Sequence, residues 1–363
     1  MTTLELRNIS LTQGADDVIY DLSATMHSGI NLLVGPTLAG KTTLMRIIAG
    51  LVKPSTGTFS LGGEDLTNVA VQKRSVSFVY QQFINYPSQT VFDNIASPLK
   101  VAKEKHTKQE IAHRVEEMAG LLGLSPFLKR KPSELSGGQQ QRVAIARALA
   151  RKSDIVLLDE PLANLDYKLR EQLRAELQSI FSKQDSIVIY STAEPSEALE
   201  FATNSFIMHE GRIIQNDSAL SVYQRPVNLQ AAVAMSDPPI NLLKSAIDGQ
   251  SATCAGVKFE LNRPEVAGRS SLTLGIQPGK LALSAGSGAK VELAGQVQLA
   301  EVTGSSTFVH LKLASGDLVV VEVEGAQTFS LDQQLKIYFN ADDLYGFDTE
   351  TGNSILFPKG SVK

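Results

Sequence analysis

Some stretches of this chain combine residue types and spacings that could do chemistry. One is Gly35-Pro36-Thr37-Leu38-Ala39-Gly40-Lys41-Thr42-Thr43, which fits G-x-x-x-x-G-K-[ST]. Backbone N–H groups of such a loop, and of the helix it opens, can cradle phosphates. Lys41 then reaches the β- and γ-phosphates, and the Thr42 hydroxyl reaches Mg²⁺. On pattern alone, a glycine-rich turn that binds nothing is the other reading. Another stretch is Asp159-Glu160, which closes the apolar run Ile155-Val156-Leu157-Leu158. Adjacent carboxylates suit metal-assisted hydrolysis: Asp159 joins the metal shell while Glu160 orients or deprotonates the attacking water. Then comes Leu135-Ser136-Gly137-Gly138-Gln139. Ser136 is a good N-cap, and Gly137 and Gly138 leave the next N–H groups uncovered. The helix expected over 139–150 therefore presents a second anion site, in a chain whose phosphate is already held by Lys41.

These residues need a frame. Short apolar runs predict strands over 30–34, 76–79, 155–158, 187–190 and 206–208. Helical patterns lie between them. Over 165–181, for example, Leu165, Leu169, Leu173, Leu177 and Ile180 share a face. Strand–helix alternation implies an α/β unit with a largely parallel sheet covered on both sides. The style changes near Ser236-Asp237-Pro238-Pro239. Beyond it, 307–313, 319–324 and 335–339 alternate with period two, which predicts a small β-barrel or sandwich. The boundary is expected at about residue 235.

Composition narrows the function classes. The 363 residues suffice for two domains, and a net charge of −4 gives none of the basic excess of a nucleic-acid binder. Cys254 is the only cysteine, so no intramolecular disulfide forms, which fits a reducing cytosol. The start MTTLELRNIS has no apolar core of a signal peptide. No run approaches the ~20 apolar residues of a membrane span, so a membrane role is expected to come through partner chains. His27, His106, His113, His209 and His310 show no metal-ligand spacing, and 103–108 reads as a solvated lead-in to a helix.

Leu135 to Gln139, followed by IVLLDE, resembles the signature of ATP-binding-cassette (ABC) ATPases. The resemblance implies a P-loop nucleotide-binding domain over 1–235, with a RecA-like core, an antiparallel β subdomain and a helical subdomain at about 86–150. It implies ATP and Mg²⁺ as cofactors. It carries contact with the metal and the attacking water onto Gln81. It also resolves the second anion site: in that family Ser136, Gly137, Gly138 and Gln139 meet the γ-phosphate of the other subunit, so function requires a dimer. Asn164-Leu165-Asp166 resembles the loop that connects the paired sites.

Tyr80-Gln81-Gln82-Phe83-Ile84-Asn85-Tyr86-Pro87 and Glu210-Gly211-Arg212-Ile213-Ile214-Gln215 are similar to stretches of maltose- and glycerol-phosphate-type importer ATPases. Leu274-Gly275-Ile276-Gln277-Pro278 resembles a strand of their all-β, OB-fold-like TOBE regulatory domain, with Gln277 and Gly279 in place of Arg and Glu. That domain is expected over 236–363, and Phe347-Asp348 with Thr351-Gly352 resembles its closing hairpin. The implied partners are a second ATPase subunit, two transmembrane permeases and, indirectly, a periplasmic solute-binding protein. The implied place is the cytoplasmic face of a bacterial inner membrane. Residues 82–98 would receive a permease helix, with Tyr86, Pro87 and Phe92 supplying apolar surface; a core role for these side chains is the alternative.

The chain departs from the family at two places. Tyr190-Ser191-Thr192-Ala193-Glu194 has Ala193 where the family carries a His that contacts the γ-phosphate, leaving Thr192 or Glu194 to compensate in part. Gln13 stands where an aromatic residue stacks on adenine, with Tyr20 near in sequence but out of register. Together they suggest an unequal pair, in which this chain's own site is slow and its signature serves a different, competent subunit. The phosphate loop, with Leu38 where the family usually carries Gly, and the His-less stretch resemble glycerol importer subunits, so glycerol is the expected solute. Another sugar, a polyol or glycerol phosphate is the alternative. A soluble non-transport ABC ATPase and an ATP-sensing module are the rival classes.

Overall fold

The computed structural model describes residues 2–102, 106–163, 165–182, 185–201, 203–286 and 291–361. They form two compact units, Met1–Asn216 and Asp217–Lys363. Sequence style places the change near 235; in the structure, the segment 217–235 belongs to the second unit.

The first unit opens with β1 (Thr3–Gln13), β2 (Asp16–His27), β3 (Gly29–Val34), α1 (Lys41–Ala49), β4 (Thr56–Leu61) and β5 (Glu64–Asp65). It continues through β6 (Val76–Val79), α2 (Val91–Lys100), α3 (Lys108–Leu121), α4 (Gly137–Ala150), β7 (Ile155–Asp159), α5 (Tyr167–Phe181), β8 (Ile187–Thr192), α6 (Pro195–Phe201), β9 (Asn204–His209) and β10 (Arg212–Ser218). One sheet has the order β2-β1-β4-β5 and is antiparallel. The other has the order β10-β9-β3-β8-β7-β6, with β9-β3-β8-β7-β6 parallel.

Every residue of β7 and of β8 is buried, as expected of central parallel strands covered on both faces. One core joins the two sheets: Leu44, Ile47 and Ile48 of α1 pack with Leu4, Leu6 and Phe59 on one side and Leu157 and Ile189 on the other. The helices start where side chains satisfy their free N–H groups. Thr107 and Glu110 form a reciprocal box at α3, Thr90 caps α2, and Asp166 caps α5.

The second unit begins with α7 (Ala219–Gln224) and α8 (Leu229–Ala234). Then come β11 (Asn241–Asp248), β12 (Ser251–Cys254), β13 (Val257–Glu260), β14 (Ser271–Ile276), β15 (Val291–Val302), β16 (Ser306–Leu313), β17 (Leu318–Glu324), β18 (Gln334–Phe339), β19 (Tyr345–Phe347) and β20 (Ser354–Leu356). They make two antiparallel sheets, β13-β12-β11-β14-β19-β20 and β17-β16-β15-β18. The inward faces share a core that includes Leu243, Leu274, Leu293, Val309, Leu311, Val321 and Ile337.

The side chain of Asn241 pairs with both the N–H and the C=O of Val320, at 2.6 and 2.8 Å. That covers part of the open edge of β17. Gln277 donates to Ser236 at 2.8 Å. Asp348 accepts from the N–H of Thr351 and closes the β19–β20 hairpin.

Candidate nucleotide site

The C-terminal ends of three parallel strands lie side by side. Val34 of β3 pairs with Thr192 of β8, and Asp159 of β7 pairs with Ser191. The chain leaving each strand therefore enters one crevice, the usual ligand position of an open α/β sheet. β3 delivers loop 35–40, β7 delivers Asp159 and Glu160, and β8 delivers Thr192 and Ala193. Gln81 follows the neighbouring strand β6.

The loop is shaped residue by residue. A Cβ on Gly35 would lie 2.3 Å from the carbonyl oxygen of Met208, so only glycine fits. Gly40 takes φ 98° as the N-cap of α1 and offers no side-chain acceptor, which leaves first-turn N–H groups for a ligand. Leu38 holds φ 70° without being glycine, and its side chain is 96% exposed. A left-handed conformation costs an L-residue roughly 1–2 kcal/mol.

Hydrogen bonds join the expected catalytic residues. The buried Lys41 ammonium donates to the carbonyls of Gly35 and Pro36 at 2.6 and 3.1 Å. It also lies 3.2 Å from Oε1 of Glu160. Oε2 of Glu160 accepts from the Gln81 amide at 2.8 Å. Oδ1 of Asp159 accepts from the hydroxyls of Thr42 and Ser191 at 3.0 and 2.8 Å. The N–H of Glu160, a residue at φ 44°, donates to the carbonyl and the hydroxyl of Ser191 at 3.2 and 3.0 Å. Lys41 and Glu160 thus form an ion pair, and a phosphate that drew on Lys41 would compete with Glu160 for its ammonium.

No group of three or more His, Cys, Asp or Glu among the described residues could hold a metal. A hydroxyl, a carboxylate and an amide are what the crevice offers, in Thr42, Asp159 and Gln81. That set fits a hard ion such as Mg²⁺, which completes its shell with phosphate and water oxygens.

The end of β8 bears on the His that the resemblance expects at position 193. Ala193 is exposed and brings no polar side chain. The Thr192 hydroxyl accepts from the N–H of Glu194 at 2.9 Å and also hydrogen-bonds Glu197. The Glu194 carboxylate is paired with Arg170 of α5. The side chains beside Ala193 are therefore committed elsewhere. Behind them, burial pushes the Glu197 carboxyl above its ordinary range, opposed by hydrogen bonds from Thr192 and Tyr190.

Ser136 caps α4 reciprocally with Gln139: the serine hydroxyl accepts from Gln139 N–H at 3.4 Å, and the glutamine side chain accepts from Ser136 N–H at 3.0 Å. Gly137 has open space around it. Gln13, at the end of β1, is exposed. The Tyr20 ring is covered by the Arg212 guanidinium, 4.6 Å away. Asn164 lies outside the described residues.

In 82–98, the half-exposed Tyr86 carries the Arg147 guanidinium over its ring at 5.0 Å, beside a cleft of about 440 Å³. Phe92 is half-buried, and Pro87 is exposed. The residues that sequence reasoning missed are Ser191 and Arg170. A serine closing the apolar run Ile187-Val188-Ile189-Tyr190 was the available signal for the first; nothing local marks the second.

Residues 19–163 match the family model described as ABC transporter, and residues 274–347 match the one described as TOBE domain. An uncharacterized ABC transporter ATP-binding protein, y4oS, of Sinorhizobium fredii is 35% identical over 327 residues, 88% of this chain and 86% of that protein. The sn-glycerol-3-phosphate import ATP-binding protein UgpC of Ruegeria pomeroyi is 33% identical over 361 residues, 98% of this chain and 99% of that protein. Among solved structures, the dimeric structure of MJ0796, a bacterial ABC transporter cassette, is similar with a TM-score of 0.55 and 27% identity. It covers 60% of this chain and 98% of that one. A post-hydrolysis state of that cassette bound to ADP and Pi gives a TM-score of 0.54 at 26% identity.

Proposed function

The chain belongs to the family of ABC transporter ATP-binding proteins and is a transport-coupled ATPase, and from that premise we propose that it energises import of glycerol as one half of an unequal ATPase pair. Permeases in the inner membrane, with a periplasmic solute-binding protein beyond them, complete the assembly in this reading. No helix among the described residues is long and apolar enough to cross a membrane.

The triphosphate of ATP takes the N–H groups of loop 35–40 and the first turn of α1. Lys41 leaves the carbonyls of Gly35 and Pro36 for the β- and γ-phosphate oxygens, which frees Glu160. Thr42, Asp159 and Gln81 would hold Mg²⁺, which when bound would neutralise phosphate charge. Glu160 accepts a proton from water as the water oxygen bonds to the γ-phosphorus and the bond to the departing ADP oxygen breaks. No His steadies that transfer, because Ala193 occupies its place. Ser136 to Gln139 serve the partner's γ-phosphate instead.

The observation that carries this reading is an intact Lys41–Glu160–Gln81 and Thr42–Asp159 network beside an Ala193 whose neighbours are already paired. The test is Glu160→Gln in this chain alone within the assembled transporter. Near-normal turnover supports the unequal pair, and complete loss overturns it in favour of two equal copies.

The three-carbon class of cargo is supported by full-length relatives named for sn-glycerol-3-phosphate import. Uptake of labelled glycerol against labelled glycerol-3-phosphate, in cells lacking this chain and in complemented cells, separates the two.

A further inference from the structure

Ser191 connects groups that the reaction uses from two directions. Its side chain is fully buried, and its Cα stands opposite Asp159 in the β7–β8 register. Its hydroxyl proton goes to Oδ1 of Asp159 at 2.8 Å, while its oxygen accepts the Glu160 N–H at 3.0 Å. We propose that Ser191 is a positioning residue, which locks the Asp159 carboxylate in the orientation that receives Mg²⁺ and ties the Glu160 backbone to the same strand. This rests on the reading of Asp159 as the metal carboxylate.

The geometry supplies the reason. Asp159 is almost wholly buried, and its Oδ1 takes hydroxyl protons from both Thr42 and Ser191. Two donors on one oxygen oppose rotation of the carboxylate, and neither hydroxyl engages Oδ2, which would remain available to a metal ion. An apolar side chain at 191 would leave Thr42 as the only hydroxyl on Oδ1, and Thr42 is itself needed at the ion. The Glu160 N–H would keep only its longer bond to the Ser191 carbonyl. Partners that orient a ligating carboxylate typically carry about 10–100-fold in metal affinity. Ser191 stands two residues before Ala193, so the segment that lacks a phosphate contact carries an additional tie to the metal side.

The test is equilibrium binding of Mn²⁺, followed by electron paramagnetic resonance, to the full chain saturated with a non-hydrolysable ATP analogue. Ser191→Ala is expected to weaken Mn²⁺ binding by about 10–100-fold, with metal-free binding of the analogue unchanged. Ser191→Thr is expected to restore it. Ser191→Cys keeps the volume and weakens the donor, and should shift binding in the same direction as alanine if alanine impairs folding. Asp159→Asn separates the two levels of the argument. If it weakens Mn²⁺ binding and the folded 191 variants do not, the positioning role of Ser191 is overturned. If Asp159→Asn itself changes nothing, the assignment of Asp159 is what fails.

Discussion

Lys41, Thr42, Gln81, Asp159 and Glu160 come from three separate places in the chain, yet each hydrogen-bonds or ion-pairs with another of the set. Against that continuity, Ala193 is, on the proposed reading, a single missing donor whose cost should be recoverable. Ala193→His is expected to raise the turnover of this chain's own site by roughly 10²–10³. The measurement is single-turnover hydrolysis in the assembled transporter with the partner's own base removed. Leu38 is a separate matter, because its strain lies in the backbone. Leu38→Gly releases the left-handed penalty and gives back part of it as chain entropy, for a net gain of about 0.5–1 kcal/mol. The shift in denaturant midpoint at constant slope measures it. The phosphate loop and the carboxylate pair are legible in sequence because each function resides in contiguous residues. Ser191 is not, since its meaning depends on which residue of β7 the register sets opposite it.

At the scale of elements, the buried Glu197 couples β8 to α6. It sits behind the end of β8, accepting from Tyr190 at 3.2 Å, and burial raises its affinity for a proton. The sign follows from linkage. A carboxyl whose folded pKa is raised stabilises the fold fully below its unfolded pKa, and that contribution is lost as pH rises through the folded value. Glu197→Gln keeps an acceptor for Tyr190 and removes the charge. The variant should therefore gain on the parent as pH rises from the ordinary glutamate range through the raised folded value, read as a growing difference in melting temperature. A constant difference across that range would refute the assignment. The same scale explains which strands the sequence reveals. β7 and β8 are continuous apolar runs bounded by turn residues, because both their faces are covered. β1 is long and mostly paired, but its register slips between Leu6 and Ile9, between Ile9 and Leu11, and again before Thr12. Those irregularities interrupt the alternation by which a half-buried strand is recognised. Likewise, the short helices α7 and α8 carry no strand signal, so a reading from strand style sets the division of the chain after them.

For the whole molecule, the question is what this chain would pair with if Ala193 leaves its own site without a phosphate contact. In the proposed pair, each ATP would lie between one subunit's phosphate loop and the other's signature. Two copies of this chain would bring two sites without the His and two without an aromatic residue at position 13. A stacked ring is worth about 0.5–1.5 kcal/mol beyond its buried area, so the self-pair lacks that contribution twice, and the His contact twice as well. A pair with a complete subunit lacks each of them once. Glu160→Gln replaces the carboxylate with a neutral carboxamide of the same shape, which removes the proposed base and should allow a closed pair to accumulate. With saturating ATP, the variant alone is therefore expected to remain near its monomer mass of 39.1 kDa in light scattering. Addition of the second ATPase subunit should convert it to the dimer. A self-dimer under those conditions would show that Gln13 and Ala193 are tolerated in both halves of a closed pair, and the unequal arrangement would lose its energetic basis. Gln13→Tyr sharpens the comparison. If stacking is what the self-pair lacks, that single change should favour self-dimers at lower ATP concentration, with the phosphate contacts of Lys41 left as they are.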